Sequence, residues 1–342
     1  MIYLVFFLVI LLIIVIRKRT RETFSFKYKA GDDPYFMSYY SFGCVDNIKY
    51  ELYFFNKNQG CREIKREIPY FKELNAIDKK IKGDTIRNCN LLQNWTKEEK
   101  KAIGEMIRYA QKETKCSFGF QRKIMSTPWK FVKVDSTVEN GFPHTHNDII
   151  FLPVNFISSI VSRLLNDTIK NVYNELGHIL IHEKTHIWQR IEPELFSSFY
   201  RTIQIEKLKL SKTTKEWLRK NTRTNPDGLE LGWGYKNESG SYYVFVSLWN
   251  KSPNSLGDIK NVAIPIVPNK THSEWSITEY SKENIIPITR LSSWKDVIGL
   301  SSNHYHPNEI SAEGIARFTM KNKQMLPIDI KIEEWLESLS IV

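Results

Sequence analysis

Apolar positions give the first outline of the chain. Residues 1–16 form an unbroken apolar run, Met-Ile-Tyr-Leu-Val-Phe-Phe-Leu-Val-Ile-Leu-Leu-Ile-Ile-Val-Ile, closed by Arg17, Lys18 and Arg19. A spanning helix takes about 17–25 residues, and snorkelling of the basic side chains brings this run to that length. No basic segment precedes it and no small-x-small cleavage site follows. Residues 1–19 therefore read as an N-terminal transmembrane anchor rather than a signal peptide.

Beyond the anchor, residues 20–93 read as a membrane-proximal region. Tyr50 to Phe55 reads as a strand, and Asn56 to Gly60 reads as a turn. Thr96-Lys97-Glu98-Glu99 is a capping box, predicting a helix to about Lys115 with Ile103, Met106, Ile107 and Ala110 on its inner face. Trp129 to Val134 and Ile149 to Pro153 read as strands. Pro143 suits an edge better than a central strand, and His144 and His146 read first as satisfied loop histidines, with a place at the border of a cleft as the alternative. Val154 to Leu165 predicts a short helix, with Asp167 or Thr168 as N-cap of the next one, which Pro193 ends. A long insert, about 194–300, opens with helical pieces (Leu195 to Leu210, Thr213 to Lys220). It turns at Asn225-Pro226-Asp227-Gly228 and becomes strand-like over Ser241 to Trp249 and Asn261 to Val267. The pattern predicts an α+β fold with one large domain over 94–323 and a C-terminal segment over 324–342.

Chemistry concentrates on the longest buried helix of this outline. It contains His182-Glu183-Lys184-Thr185-His186, an H-E-x-x-H pattern flanked by Ile179, Leu180, Ile181, Ile187 and Trp188. Residues four apart stack one turn above each other, so His182 and His186 reach one metal ion and Glu183 sits beside them as general base. His178 is also four residues from His182, but each such step rotates the face by about 40°. It is expected in a supporting role rather than as a ligand. A hydrolytic zinc site needs three protein ligands and one open position. The sequence His304-Tyr305-His306-Pro307-Asn308-Glu309-Ile310-Ser311-Ala312-Glu313 offers the third, because Pro307 suits a first helical turn and places Glu309 and Glu313 on one face. One of the two glutamates ligates, and the other accepts the free N–H of a ligand histidine.

These two segments resemble the zincin metallopeptidases of the gluzincin type, in which H-E-x-x-H is followed by E-x-x-A-D or E-x-x-x-D. Here Glu309 to Glu313 reads E-I-S-A-E, with Glu where Asp is commoner, and the shared motifs span about thirty residues. The resemblance implies Zn²⁺ held by His182, His186 and Glu309, with Glu313 behind a ligand histidine. It also implies a mixed sheet whose edge strand pairs with extended substrate, and a Tyr or His near the third ligand that steadies the oxyanion. Tyr305 is preferred for that part, with His306 and His304 beside it. The implied function is a membrane-anchored zinc peptidase acting on peptide or protein substrates. A catalytically weak or inactive zincin scaffold in a membrane or virus particle is the alternative.

Composition changes this picture little. Hydrophobic residues make up 42% and aromatic residues 13% of the 342, enough for a buried core. The net charge of +11 is concentrated between Cys61 and Lys133, where 18 Lys and Arg face 9 Asp and Glu. No nucleic-acid-binding motif accompanies them, so the excess reads as solvated surface beside a lipid bilayer. Cys44, Cys61, Cys89 and Cys116 are an even set without C-x-x-C spacing, which suits disulfides of open pairing in an oxidising compartment. The basic residues after the anchor favour the cytoplasmic side instead. The side of the membrane is left open.

Overall fold

The computed structural model describes residues 35–42, 46–66, 68–83, 87–113, 124, 127–271, 273–278, 285–299, 305–320 and 324–339. The expected anchor over 1–19 lies outside these residues, as do Cys44, Cys116 and His304. Among the described residues no helix is long and apolar enough to cross a membrane.

Two sheets and a layer of helices make an α+β fold. The first sheet contains β1 (Tyr35–Phe42), β2 (Asp46–Phe55), β3 (Leu92–Gln93), β4 (Trp129–Val134), β5 (His144–His146) and β6 (Ile149–Pro153). Its order is β1-β2-β4-β6-β5, with β3 added to β4. The β2–β4 and β4–β6 pairs are parallel, and β5 closes one edge antiparallel to β6. The second sheet holds β7 (Ile205–Lys207), β8 (Trp233–Lys236), β9 (Tyr242–Trp249), β10 (Ile259–Pro268) and β11 (Trp275–Ile277) side by side. β12 (Ile286–Pro287) pairs with β10.

The parallel strands explain their own sequence. A parallel strand is covered on both faces and so reads as a continuous apolar run. In β4, Phe131 enters the main core while Val132 and Val134 enter a smaller one under the helix Lys57–Lys65. The capping-box helix, Lys97–Glu113, closes on itself through Thr96 and Glu99 and buries Ile103, Met106, Ile107 and Ala110 in the main core. Burial of each of the three larger side chains contributes roughly 1.5–3 kcal/mol. The same core takes Leu180, Ile181, Ile187 and Trp188 from the motif helix and Tyr235, Phe245 and Ala263 from the second sheet.

Three local readings change. Asn56 to Gly60 is not a turn: Asn56 caps the helix Lys57–Lys65, and its side chain and that of Gln59 reciprocally accept each other's backbone N–H. The helical piece expected over Leu195 to Leu210 ends at Thr202, and β7 follows, because edge pairing to β8 overrides its weak helical pattern. The first sheet also draws strands from both sides of position 93, with β2 paired directly to β4.

Cys61 and Cys89 form a disulfide across a separation of 28 residues. Closing a loop of that size in the unfolded chain is worth about 3–4 kcal/mol. The double variant Cys61→Ser/Cys89→Ser is therefore expected to lose about 3 kcal/mol of unfolding free energy, read from urea titrations. A loss under about 1 kcal/mol would show that the bridge constrains little.

Candidate metal centre

The motif helix, His178–Ile191, is buried from Leu180 to Gln189, so its polar residues must find partners inside the protein. It is entered through a single π turn, Tyr173–Gly177. At Gly177 an added Cβ would lie 2.7 Å from both Met106 Sδ and Tyr173 Cδ2, so glycine lets the capping-box helix cross closely there. Beside it runs the carboxylate helix, Pro307–Phe318, with His306 as N-cap and Pro307 in its first turn. This start places Glu309 opposite the two motif histidines.

Three donor atoms meet between the helices. His182 Nε2 lies 3.0 Å from His186 Nε2 and 3.2 Å from Glu309 Oε2, and His186 Nε2 lies 3.6 Å from the same oxygen. A tetrahedral zinc with bonds of about 2.0–2.1 Å separates its ligand atoms by about 3.3 Å. The observed spacings match that figure, and all three side chains are buried. The donor set, two imidazole nitrogens and a carboxylate oxygen, therefore fits a divalent cation.

Neighbouring groups fix the tautomers. Gln189 donates its amide to the Asn308 carbonyl and the Ser311 hydroxyl, both at 2.8 Å, so its oxygen accepts from His186 Nδ1 at 2.9 Å. His186 Nδ1 thus carries a proton, and in the neutral ring the lone pair is on Nε2, facing the cluster. Glu313 Oε2 stands 3.9 Å from His182 Nδ1, on the side away from Glu309. Asn225 donates to Glu309 Oε1 and, at 3.0 Å, to the Tyr305 hydroxyl. That bond leaves the Tyr305 proton free to be donated.

The electrostatics favour positive charge. Burial lowers the His186 imidazolium, but the Asp227 and Glu309 carboxylates outweigh it and lift the ring to about 9. His182 is also raised, burial being outweighed by its bond to Glu309. Burial opposes ionisation of Glu309, yet the two histidines hold it well below the usual carboxylate range. Glu183 goes the other way: burial first, then Asp227, push it up to about 8. Its Oε2 has no hydrogen-bond partner among the described residues. An orphaned buried carboxyl oxygen beside three converging donors is the kind of group that structural roles alone do not explain.

Other histidines stand elsewhere. His178 approaches the Tyr173 carbonyl with Nδ1 at 3.4 Å and is not in the donor triangle. His306, expected as an oxyanion donor, has both ring nitrogens engaged: Nδ1 accepts from the Asn308 N–H at 3.1 Å and Nε2 donates to the Glu230 carbonyl at 3.2 Å. Burial pushes it down to about 4, so it stays neutral and serves as the helix cap. His144 and His146 lie buried in β5, packed on Phe151.

The insert supplies what the motifs do not announce. Asn225 and Asp227 read in the sequence only as turn formers, yet Asn225 orients Glu309, and Asp227 shares a second group of close ligand atoms with Glu183 and His186. Their segment is anchored by buried polar groups. Lys82 donates to the Thr224 carbonyl at 2.9 Å and pairs with Glu139 at 3.2 Å, while Asp78 accepts from the Thr224 hydroxyl at 2.6 Å. No family model, curated protein or solved structure matches this chain, so the site is read from its own atoms.

The pKa directions fix a pH response of the metal-free chain. Glu183, raised to about 8, contributes stability that is fully present below its ordinary value and lost as pH rises through about 8. His186, raised to about 9, has the same sign: its contribution is complete below its ordinary value and lost as pH rises through about 9. Glu309, lowered, acts only in more acidic solution. In chelator, the melting temperature taken relative to that of Glu183→Gln, which cancels the opposite contribution of buried Lys184 (lowered to about 7), is expected to fall from about pH 6 to about pH 8, and added zinc to remove the decline. A difference between the two chains that is flat or rises over that range would contradict the assigned environment.

Proposed function

We propose that the protein is a membrane-anchored zinc peptidase that hydrolyses peptide bonds with Glu183 as general base. One observation carries this reading: His182, His186 and Glu309 point three donor atoms at a common centre, with Glu183 Oε2, which has no hydrogen-bond partner among the described residues, beside it. His182, His186 and Glu309 would hold the zinc, whose Lewis acidity lowers the pKa of water toward neutrality and polarises the scissile carbonyl.

The remaining steps belong to the chain. Glu183 takes a proton from the attacking water and delivers it to the departing amine, a role suited to a buried carboxyl whose pKa is near neutrality. Tyr305, kept as a neutral phenol by burial and by the nearby Glu309 charge, donates a hydrogen bond to the developing oxyanion. Asn225 holds Tyr305 and Glu309 in register through one amide group. Gln189 keeps the His186 ring oriented. Residues 1–19 would tether this body to a bilayer, and the Cys61–Cys89 disulfide supports an oxidising compartment for it.

A second reading, a zincin-type scaffold that binds metal without turnover, is favoured by the loop contacts that already fill the edge of β5. The two part on Glu183→Gln. In the zinc-loaded chain this change is expected to lower peptide hydrolysis by about 10²–10⁴-fold while leaving one zinc per chain, whereas Glu309→Ala is expected to lose the metal. Undiminished hydrolysis in Glu183→Gln, or a rate indifferent to chelation, would sink the peptidase reading.

A further inference from the structure

Among the described residues β5 has a strand neighbour on one side only, β6. On its outer side, Thr145 presents the backbone pair that an added strand would use, and both groups are taken. Its N–H donates to Asp227 Oδ1 at 3.2 Å, and its carbonyl accepts from Arg190 Nη2 at 3.4 Å. The Thr145 hydroxyl donates to the same Asp227 oxygen and accepts from Arg190 Nη1 at 2.7 Å, and Arg190 Nη2 reaches Asp227 Oδ1 at 3.0 Å. A carboxylate and a guanidinium thus stand in for the C=O and N–H of a paired strand.

The turn that carries Asp227 also borders a cavity. A cavity of about 620 Å³ is lined by Tyr70, His146, Arg190, Tyr200, Asp227 and Trp233 among others, and none of His182, Glu183, His186 or Glu309 lines it. Ligand atoms of Asp227, Glu183 and His186 lie within 4.8 Å of one another. The turn is seated by polar contacts. Asn308 donates to the Asp227 carbonyl at 2.8 Å, and Arg190 donates to the Pro226 carbonyl at 3.1 Å. Gly228 lets it sit deep, because a Cβ there would lie 2.8 Å from the His306 ring. Such contacts exchange readily with those of an incoming peptide, since each has an equivalent there.

We propose that the Asp227 side chain is an internal occupant of the place where an extended substrate pairs with β5, swung aside while Asn225 stays on Glu309 and Tyr305, and that the peptide displacing it carries a carboxylate side chain for Arg190. Moving Asp227 away frees the Thr145 N–H for a peptide carbonyl and leaves the Arg190 guanidinium and Thr145 hydroxyl converging as a cradle for an anionic oxygen. A neutral peptide restores the strand hydrogen bonds but leaves the guanidinium without an anion. An acidic one restores both. The inference rests on the peptidase reading of the same site, and its test is a binding measurement that requires no turnover.

The experiment uses the full-length, zinc-loaded chain in detergent with Glu183→Gln throughout. Two fluorescently labelled twelve-residue peptides of Ala, Ser and Val, one with a central Glu and one with a central Gln, are titrated and followed by anisotropy. Adding Asp227→Ala is expected to tighten the Glu peptide by about tenfold or more, and to make it bind about fivefold tighter than the Gln peptide. Asp227→Asn, which keeps a turn-forming residue, is expected to give a smaller gain in the same direction and serves if the alanine variant fails to fold. No gain in any variant that retains one zinc per chain overturns the internal-occupant proposal, and an equal gain for both peptides overturns the carboxylate requirement. Tightened binding without hydrolysis once Glu183 is restored in the Asp227→Ala chain supports the occupant and counts against the peptidase reading instead.

Discussion

A carboxylate removed from water must be met by positive charge, and Glu309 is only 5% exposed. Much of the site's arrangement follows from that constraint. The two imidazoles that meet Glu309 come from one helix, at a spacing of four that stacks them on the same face. Asn225 takes its second oxygen, and Gln189 locks one ring from behind. The negative potential that raises both histidines is the same potential that would favour a divalent cation between them.

The fold delivers these groups by crossing elements that are distant in sequence. The motif helix is held by the core on its apolar face, through Leu180, Ile181 and Trp188, so its polar face has a fixed aim. The carboxylate helix lies along it, and Gly314 allows Ile332 of the C-terminal helix, Pro327–Ser338, to approach closely from behind: a Cβ there would stand 2.9 Å from the Ile332 side chain. The insert then returns a turn to the same place, fastened by Lys82, Asp78 and Glu139 through Thr224 and its surroundings. Buried charges of this sort contribute little net stability, but removing one partner is expensive. They fix position more than they hold the fold together.

Two carboxyl groups near the cluster have opposite circumstances. Glu309 has cationic and amide partners and ionises easily, whereas Glu183 has one oxygen without any and resists ionisation. A pair of titratable groups pushed apart by environment divides labour between holding charge and moving a proton. Asp227, between Glu183 and the edge strand, joins this centre to the surface on which a peptide would lie.

Local sequence determined what is local. The capping box at Thr96 and Glu99, the apolar run of β4, the histidine spacing of the motif helix and the helix start at Pro307 each depend on residues a few positions apart, and the short-range rules that govern them can be read directly. Asn56 and Gln59 obeyed the same rules, though the stretch resembled a turn, because asparagine serves both as a turn former and as a cap. Tertiary structure alone decided which of Glu309 and Glu313 faces the histidines, because the two share a helix face and only the neighbouring helix distinguishes them. It also turned His306 into a cap and brought Asn225 and Asp227 to the centre from the middle of the insert. Those placements depend on contacts between residues roughly 40 to 150 positions apart, set by core packing and buried charge, and no short window of sequence contains them.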